Sequence, residues 1–398
     1  MLIHVSLAKQ PFSLVIKTSY LSKYTEIFEK WLDMCLGVIL YLNTKNRNGE
    51  IKMSMHNKIH RTIITSALVV SSLLLFGNTA IANESAKVPV TLKNYKVAES
   101  DVAFGGTVKL GASNKIVHLP VKEFDLNKQI VVRMNQDTVY SGAIVDVSKG
   151  ATITLPETDG RYLSLMVVQN DHYVNDVFIG AGTYELKSDI DSDFVNLAIR
   201  TEINLNDPED IKKVIALQKK IKLDVKGDKV FKQPNYNMEQ LVKLRAELTN
   251  EALAFGSLNN MQGPRGKVDE HMHLLGTAVG WGLLPDVNAR YIGYVQEGSD
   301  GTGCYTANYK VPPFNDPGFF SITMYDAEGW MFNERAILNK NNITFNKDGS
   351  FDANLGECGE NAKNNLPITK GWNFIMRVYE PKLNQLDAYK LATPVKVK

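Results

Sequence analysis

Cysteine is scarce in this sequence, three in 398 residues, and no two stand in a Cys-x-x-Cys pair. Thiol redox work and a cysteine-rich metal site therefore lack their usual spacing. No Gly-x-Ser-x-Gly elbow, His-Glu-x-x-His helix, GxxxxGKS/T loop or GxGxxG turn after a strand occurs, which argues against the enzyme and nucleotide-binding classes those motifs mark. No apolar run reaches the roughly 20 residues that cross a bilayer as a helix. An excess of one charge is missing too: beyond residue 82 the chain carries 36 Lys and Arg against 39 Asp and Glu. That near balance argues against a nucleic-acid or anionic-membrane partner. No cofactor motif is present, and none is expected.

What is present starts with "RTIITSALVVSSLLLFGNTAIAN", Arg61 to Asn83. It has the three parts of a secretory leader in order: the positive Lys58, His60 and Arg61, an apolar stretch over residues 63–76, and the small-residue exit Ala80-Ile81-Ala82. Cleavage is expected after Ala82, with a periplasmic or secreted destination and no stable membrane insertion afterwards. No Cys follows to carry acyl chains. Residues 1–54 precede the leader and read as an upstream extension from a misplaced start, with Met53 or Met55 the true first residue. Residues 55–82 are then the signal peptide. Of the cysteines, Cys35 lies ahead of the cut, which leaves Cys304 and Cys358 as a candidate disulfide in an oxidising compartment. Two separate buried thiols is the alternative.

Residues 88–205 are short runs of Val, Ile, Thr and Tyr broken by Gly, Asp and Asn, the chemistry of strands and turns. In "ATITLPETDGRYLSLMVV" the spacing predicts a hairpin across Asp159-Gly160. Helical period follows over residues 206–260, the expected linker. Asp207 and Pro208 open one helix, which Gly227 is expected to end; Asn237 and Gln240 form a capping box for a second. Residues 261–398 return to strands after a Gly-rich passage. Hairpins are expected around "DAEG", between residues 320–325 and 330–333, and around "KDG", between 343–346 and 351–355. Trp372, Phe374, Met376 and Val378 alternate with Asn373, Ile375, Arg377 and Tyr379, as in a strand with one buried face. Several such strands with close turns suggest a sandwich or jelly roll.

In the stretch from Asn135 to Asn175, the residues Asn135, Asp137, Thr138, Tyr140, Ser141, Asp146, Lys149, Pro156, Arg161 and Tyr162 carry a pattern that resembles the family called domain of unknown function 1254. The end of the chain resembles its usual partner, domain of unknown function 1214, through Pro312, Pro313, Phe320, Ser321, Asn333, Arg335, Asp348, Gly349, Arg377 and Tyr379. Two Trp positions of that family hold Phe320 and Asn365 here. The resemblance implies a mainly β protein, two jelly-roll-like antiparallel β-sandwich domains joined by a helical linker, often exported. It supplies no reaction.

Three polar clusters are candidates for chemistry. The first is Asn135, Asp137, Tyr140, Asp146 and Arg161, in which an Asp–Arg pair beside a Tyr would suit acid or hydrogen-bonding work. The competing reading is that these residues fasten turns through their own side chains. The second is Asp269, His271 and His273, whose period-two spacing would set them on one face of a strand as weak candidate metal ligands; a structural or surface pair is the alternative. The third is Arg335, Asp348, Arg377 and Tyr379, for binding or for cross-strand pairing. The expected function is binding of a small molecule, glycan or cell-envelope component at the interface of the two β domains. A hydrolase or lyase using Asp137, Tyr140 and Arg161 is one alternative. A self-assembling envelope protein, which leaves a homo-oligomer open, is another.

Overall fold

The structure, a computed structural model, describes residues 87–119, 126, 129 and 133–397. The extension and leader read over residues 1–54 and 55–82 lie outside the described residues. The described residues fall in one compact unit.

The chain opens with helix α1 (Tyr95–Lys109), then strands β1 (Val117–His118), β2 (Thr138–Asp146), β3 (Ala151–Leu155), β4 (Leu163–Val168), β5 (Val174–Ile179), β6 (Gly182–Leu186) and β7 (Phe194–Glu202). Helix α2 (Pro208–Gln218), strand β8 (Lys222–Val225) and helices α3 (Met238–Ala254) and α4 (Glu270–Val279) follow. The first eight strands make two antiparallel sheets, β1-β2-β7-β4-β5 and β6-β3-β8. Period two decides what lies between them. Ala143, Val145, Leu163, Leu165, Val167, Val195, Leu197 and Ile199 of the larger sheet meet Ala151, Ile153, Leu155, Leu186 and Leu223 of the smaller. Burying each large aliphatic side chain here stabilises by roughly 1.5–3 kcal/mol.

The second sandwich uses β9 (Ala289–Val295), β10 (Cys304–Tyr309), β11 (Phe320–Tyr325), β12 (Ile337–Asn339), β13 (Phe351–Gly356), β14 (Asn365–Leu366) and β15 (Asn373–Tyr379). A short helix α5 (Leu383–Leu386) and strand β16 (Val395–Lys396) complete it. Its sheets are β12-β11-β15-β9 and β14-β13-β10-β16, antiparallel except for the β13–β14 pair. Phe320, Ile322, Met324, Trp372, Phe374, Met376 and Val378 fill its core against Tyr305, Tyr309, Phe351 and Leu355. Phe320 thus packs inside rather than forming an exposed platform. Cys304 and Cys358 are joined by a disulfide. The protein is mainly β, two jelly-roll-like antiparallel sandwiches with helices between them.

Several local expectations give way to long-range pairing. No hairpin forms across Asp159-Gly160: β3 pairs with β6 and β8, and β4 with β7 and β5. Gly160 does take the positive φ of +89°, but its turn carries the chain from one sheet to the other. Both strands bury an apolar face in the same core from opposite sides, which one local hairpin could not do. Helix α1 occupies residues read as strand. Its Tyr95, Ala98 and Val102 pack on Leu241, Leu248 and Ala252 of α3, a partner 150 residues away that outweighs its β-branched and glycine content. The helix expected to reach Gly227 stops at Gln218, and β8 joins the smaller sheet. Residues 330–333 and 343–346 form no strands; β11 pairs with β12 instead.

Candidate functional site

Side-chain parity builds the site. The odd residues of β2, β4 and β7 face the first core, so Tyr140, Ser164, Met166, Val168, Ala198 and Arg200 face outward. On β9, β11 and β15 the even residues face the second core, so Tyr291, Ser321, Thr323, Tyr325, Arg377 and Tyr379 face outward. These two outer faces pack on each other. Met166, Val168 and Tyr162 share one buried cluster with Phe319, Tyr379 and Ala289. Phe319 and Tyr379 stack at 4.4 Å between centroids, and Tyr162 lies edge-on to Phe319 at 5.7 Å. The alternation read in residues 372–379 is real, yet both faces of β15 are buried.

Beside this aromatic patch the seam turns polar. Asp137 is 1% exposed. Ser321 Oγ donates to its Oδ2, and Asn339 Nδ2 donates to Oδ1 at 2.9 Å. Burial pushes the Asp137 carboxyl up, and the nearby Glu202 adds to this against the two hydrogen bonds and the Arg377 charge. Arg377 donates to the Arg133 carbonyl at 2.6 Å and to Thr323 Oγ1 at 3.3 Å. Asn135 Oδ1 accepts from the backbone of Asp137 and Thr138, both at 3.1 Å, while its Nδ2 donates to Tyr140 Oη at 2.7 Å. Glu202 pairs with Lys340 and accepts the Tyr162 N–H.

Arg200 differs from its neighbours. It is 7% exposed and forms no ion pair among the described residues. Nη2 donates to the Gly282 carbonyl at 2.9 Å, the guanidinium lies over the Tyr140 ring at 5.5 Å, and the buried Nη1 has no partner. Ser164 sits directly opposite Arg200 in the β4–β7 register. Its hydroxyl and that of Tyr162 are buried and, among the described residues, have no polar partner other than each other. Tyr140, Tyr291 and Gly282 keep partial exposure at this end of the seam.

The seam therefore unites Asn135, Asp137, Tyr140, Arg377 and Tyr379 of the expected residues. Asp146 lies at the far end of β2 and accepts from Ser148 and the Lys229 N–H. Burial alone would raise its carboxyl, but those bonds hold it below the usual range. Arg161 forks between Asp159 and Asp210 and fastens the inter-sheet turn to α2. Arg335 is exposed, and Asp348 holds a turn through Ser350. Asp137, Tyr140 and Arg161 thus do not form one site. Arg200, Ser164, Glu202, Ser321 and Asn339 were missed; the one available signal was an Arg at an outward position of the apolar run "FVNLAIRTE".

His271 and His273 are on a helix, α4, not a strand, and Asp269 stands just ahead of it. Asp269 caps α4 by accepting from the N–H groups of His271 and Met272. His271 is exposed against Glu251, while His273 is buried and stacks on Tyr173 at 3.7 Å. Among the described residues no group of three His, Cys, Asp or Glu could hold a metal. His273 instead stacks on His172, which stacks on Trp281. The Gly282 N–H donates to His172 Nε2 at 2.9 Å, so the proton of His172 is on Nδ1, 2.9 Å from Thr277 Oγ1. Burial, with His273 and Lys96 nearby, holds His172 well below the usual imidazole range. Burial and Lys96 lower His273 to about 4.

A paired-sandwich fold with a polar seam defines the class of protein at the level of architecture. Residues 113–185 match the family described as Protein of unknown function (DUF1254), and residues 295–383 match Protein of unknown function (DUF1214). The N- and C-terminal parts of the chain thus resemble these two families in that order. No curated protein matches. Among solved structures, the VPA0106 protein from Vibrio parahaemolyticus is similar with a TM-score of 0.59 at 18% identity, over 77% of this chain and 98% of that one. An uncharacterised protein from Burkholderia cenocepacia aligns with a TM-score of 0.46 at 14% identity, over 76% and 88%. At such identities the first likeness concerns the fold alone.

Proposed function

We propose that this chain is an exported binding protein whose site is the seam between its two sandwiches, at the end marked by Tyr140, Arg200 and Tyr291. One observation carries the reading: charged, phenolic and hydroxyl side chains from both sandwiches converge there, and Tyr140 and Tyr291 keep partial exposure. Ligand sites favour such inter-domain positions, with a few polar groups set among aromatic ones. A glycan or another cell-envelope component is the ligand class proposed. Catalysis by Asp137, Tyr140 and Arg161 has less support, because Arg161 is tied elsewhere and both Asp137 oxygens are engaged. Export is supported by the leader over residues 55–82 and by the Cys304–Cys358 disulfide, which an oxidising compartment would maintain.

The test is to purify the exported chain from its own cells, denature it and identify released small molecules by mass spectrometry. A defined compound is expected from the wild type and not from a folded Tyr291→Ala variant. Release of nothing, together with no rise in unfolding temperature on adding fractionated envelope extract, would end the proposal.

A further inference from the structure

Among the described residues the seam holds a charge with no ion-pair partner. A buried guanidinium is normally paired with a carboxylate, because the desolvation cost of a lone buried charge is several kcal/mol. Arg377 meets this requirement through Asp137 nearby and two hydrogen bonds. Arg200 has one carbonyl, one ring face and a vacant N–H. Ser164 lies directly across from it, and Tyr162 immediately precedes β4. Among the described residues the two hydroxyls find no polar partner other than each other. Burial keeps the Tyr162 phenol protonated, and so a donor, far above neutral pH. The vacant Nη1 of Arg200 and the neighbouring hydroxyl pair of Ser164 and Tyr162 are donors gathered around one positive charge, which suits an oxyanion rather than a cation or an apolar group. The partly exposed Tyr140, Tyr291 and Gly282 mark its approach.

We infer that this corner binds a single oxyanion group, the carboxylate or phosphate end of a small ligand, with Arg200 as its counter-charge and Ser164 and Tyr162 as hydroxyl donors. The inference rests on the seam being the binding site and names the chemistry it recognises. Gly282 ties the site to the histidine pair, since its carbonyl accepts from Arg200 while its N–H donates to His172. The backbone at residue 282 thereby orients the guanidinium.

Sodium phosphate and sodium succinate, each titrated against sodium chloride at constant ionic strength, provide the probes. The readouts are thermal unfolding and calorimetric binding on the leader-free chain. In the wild type one of the two anions is expected to raise the unfolding temperature saturably beyond chloride, and which one acts separates a phosphate from a carboxylate ligand. Arg200→Gln is expected to weaken that binding by at least about tenfold, as loss of a charged hydrogen-bonding partner does. Ser164→Ala, too small a change to unfold the chain, is expected to weaken it severalfold. No effect of either anion beyond chloride, or wild-type affinity in Ser164→Ala, overturns the inference. The seam reading fails separately: an uncharged compound released from the purified protein and lost in Tyr291→Ala would sink the oxyanion while leaving the seam in place.

Discussion

Asp137 shows how surroundings assign a role that residue type leaves open. It belongs to a turn, as its bonds with Asn135 show, and it also receives donors from Ser321 and Asn339, residues far along the chain. Truncating it leaves the Ser321 hydroxyl and the Asn339 amide buried without their acceptor. Asp137→Ala is therefore expected to lower the unfolding free energy by about 2–6 kcal/mol in urea titrations. Asp137→Asn should cost less than half as much, because the amide oxygen still accepts and the Ser321 hydroxyl can rotate to accept from the amide nitrogen. Equal losses in both would mean that the charge on Asp137, not its hydrogen bonding, holds the seam. Its raised pKa adds a sign: the folded form keeps its proton to higher pH than the unfolded chain, so this group favours folding most in acid and less as pH rises through the raised value.

At the scale of elements, α4 and the β4–β5 turn meet through the two histidines. Both are held neutral in the fold, so the unfolded chain takes up protons near pH 6.5 that the folded chain refuses until about 4 for His273. Their contribution is complete above 6.5 and is lost as pH falls toward 4, by about 3 kcal/mol for His273 alone. His273→Phe, which keeps the stacking on Tyr173, is expected to flatten the wild-type decline between pH 6.5 and 4 in chemical denaturation. The wild-type and variant curves running parallel there would refute this. Glu270, held to about 2 by Lys96 and Tyr173, loses its share between 4.5 and 2 and touches that window only at its lower end. Element starts were readable where a cap is local: Asp207 accepts from the Glu209 N–H ahead of α2, and Asn237 from Gln240 ahead of α3. Element ends and identities were less so, since Lys222–Val225 reads as a continuation of a helix until the edge of the smaller sheet captures it.

For the whole molecule, two sandwiches stacked outer face to outer face make a structure whose stability depends on distant links. The disulfide spans a sequence separation of 54. In the chain-entropy account it contributes about 4 kcal/mol by restricting the unfolded state. Reductant, or a Cys304→Ser and Cys358→Ser double variant, is expected to lower the urea midpoint accordingly without changing the fold. An unchanged midpoint would show that the unfolded chain is already compact around this loop.

The periodicity of strands and helices, the caps, the cysteine pairing candidates and the order of the two family motifs could all be read from the chain itself, because each depends on residues within a few positions of one another. Which strands pair, which faces are covered and which polar groups meet were decided only by tertiary structure. Arg200 reaches Gly282 across 82 residues, and Ser321 reaches Asp137 across 184. A period of two says that one face of β15 is apolar. It cannot say that the other face, with Arg377 and Tyr379, lies under a second sheet, because that burial belongs to a surface folded from another part of the chain.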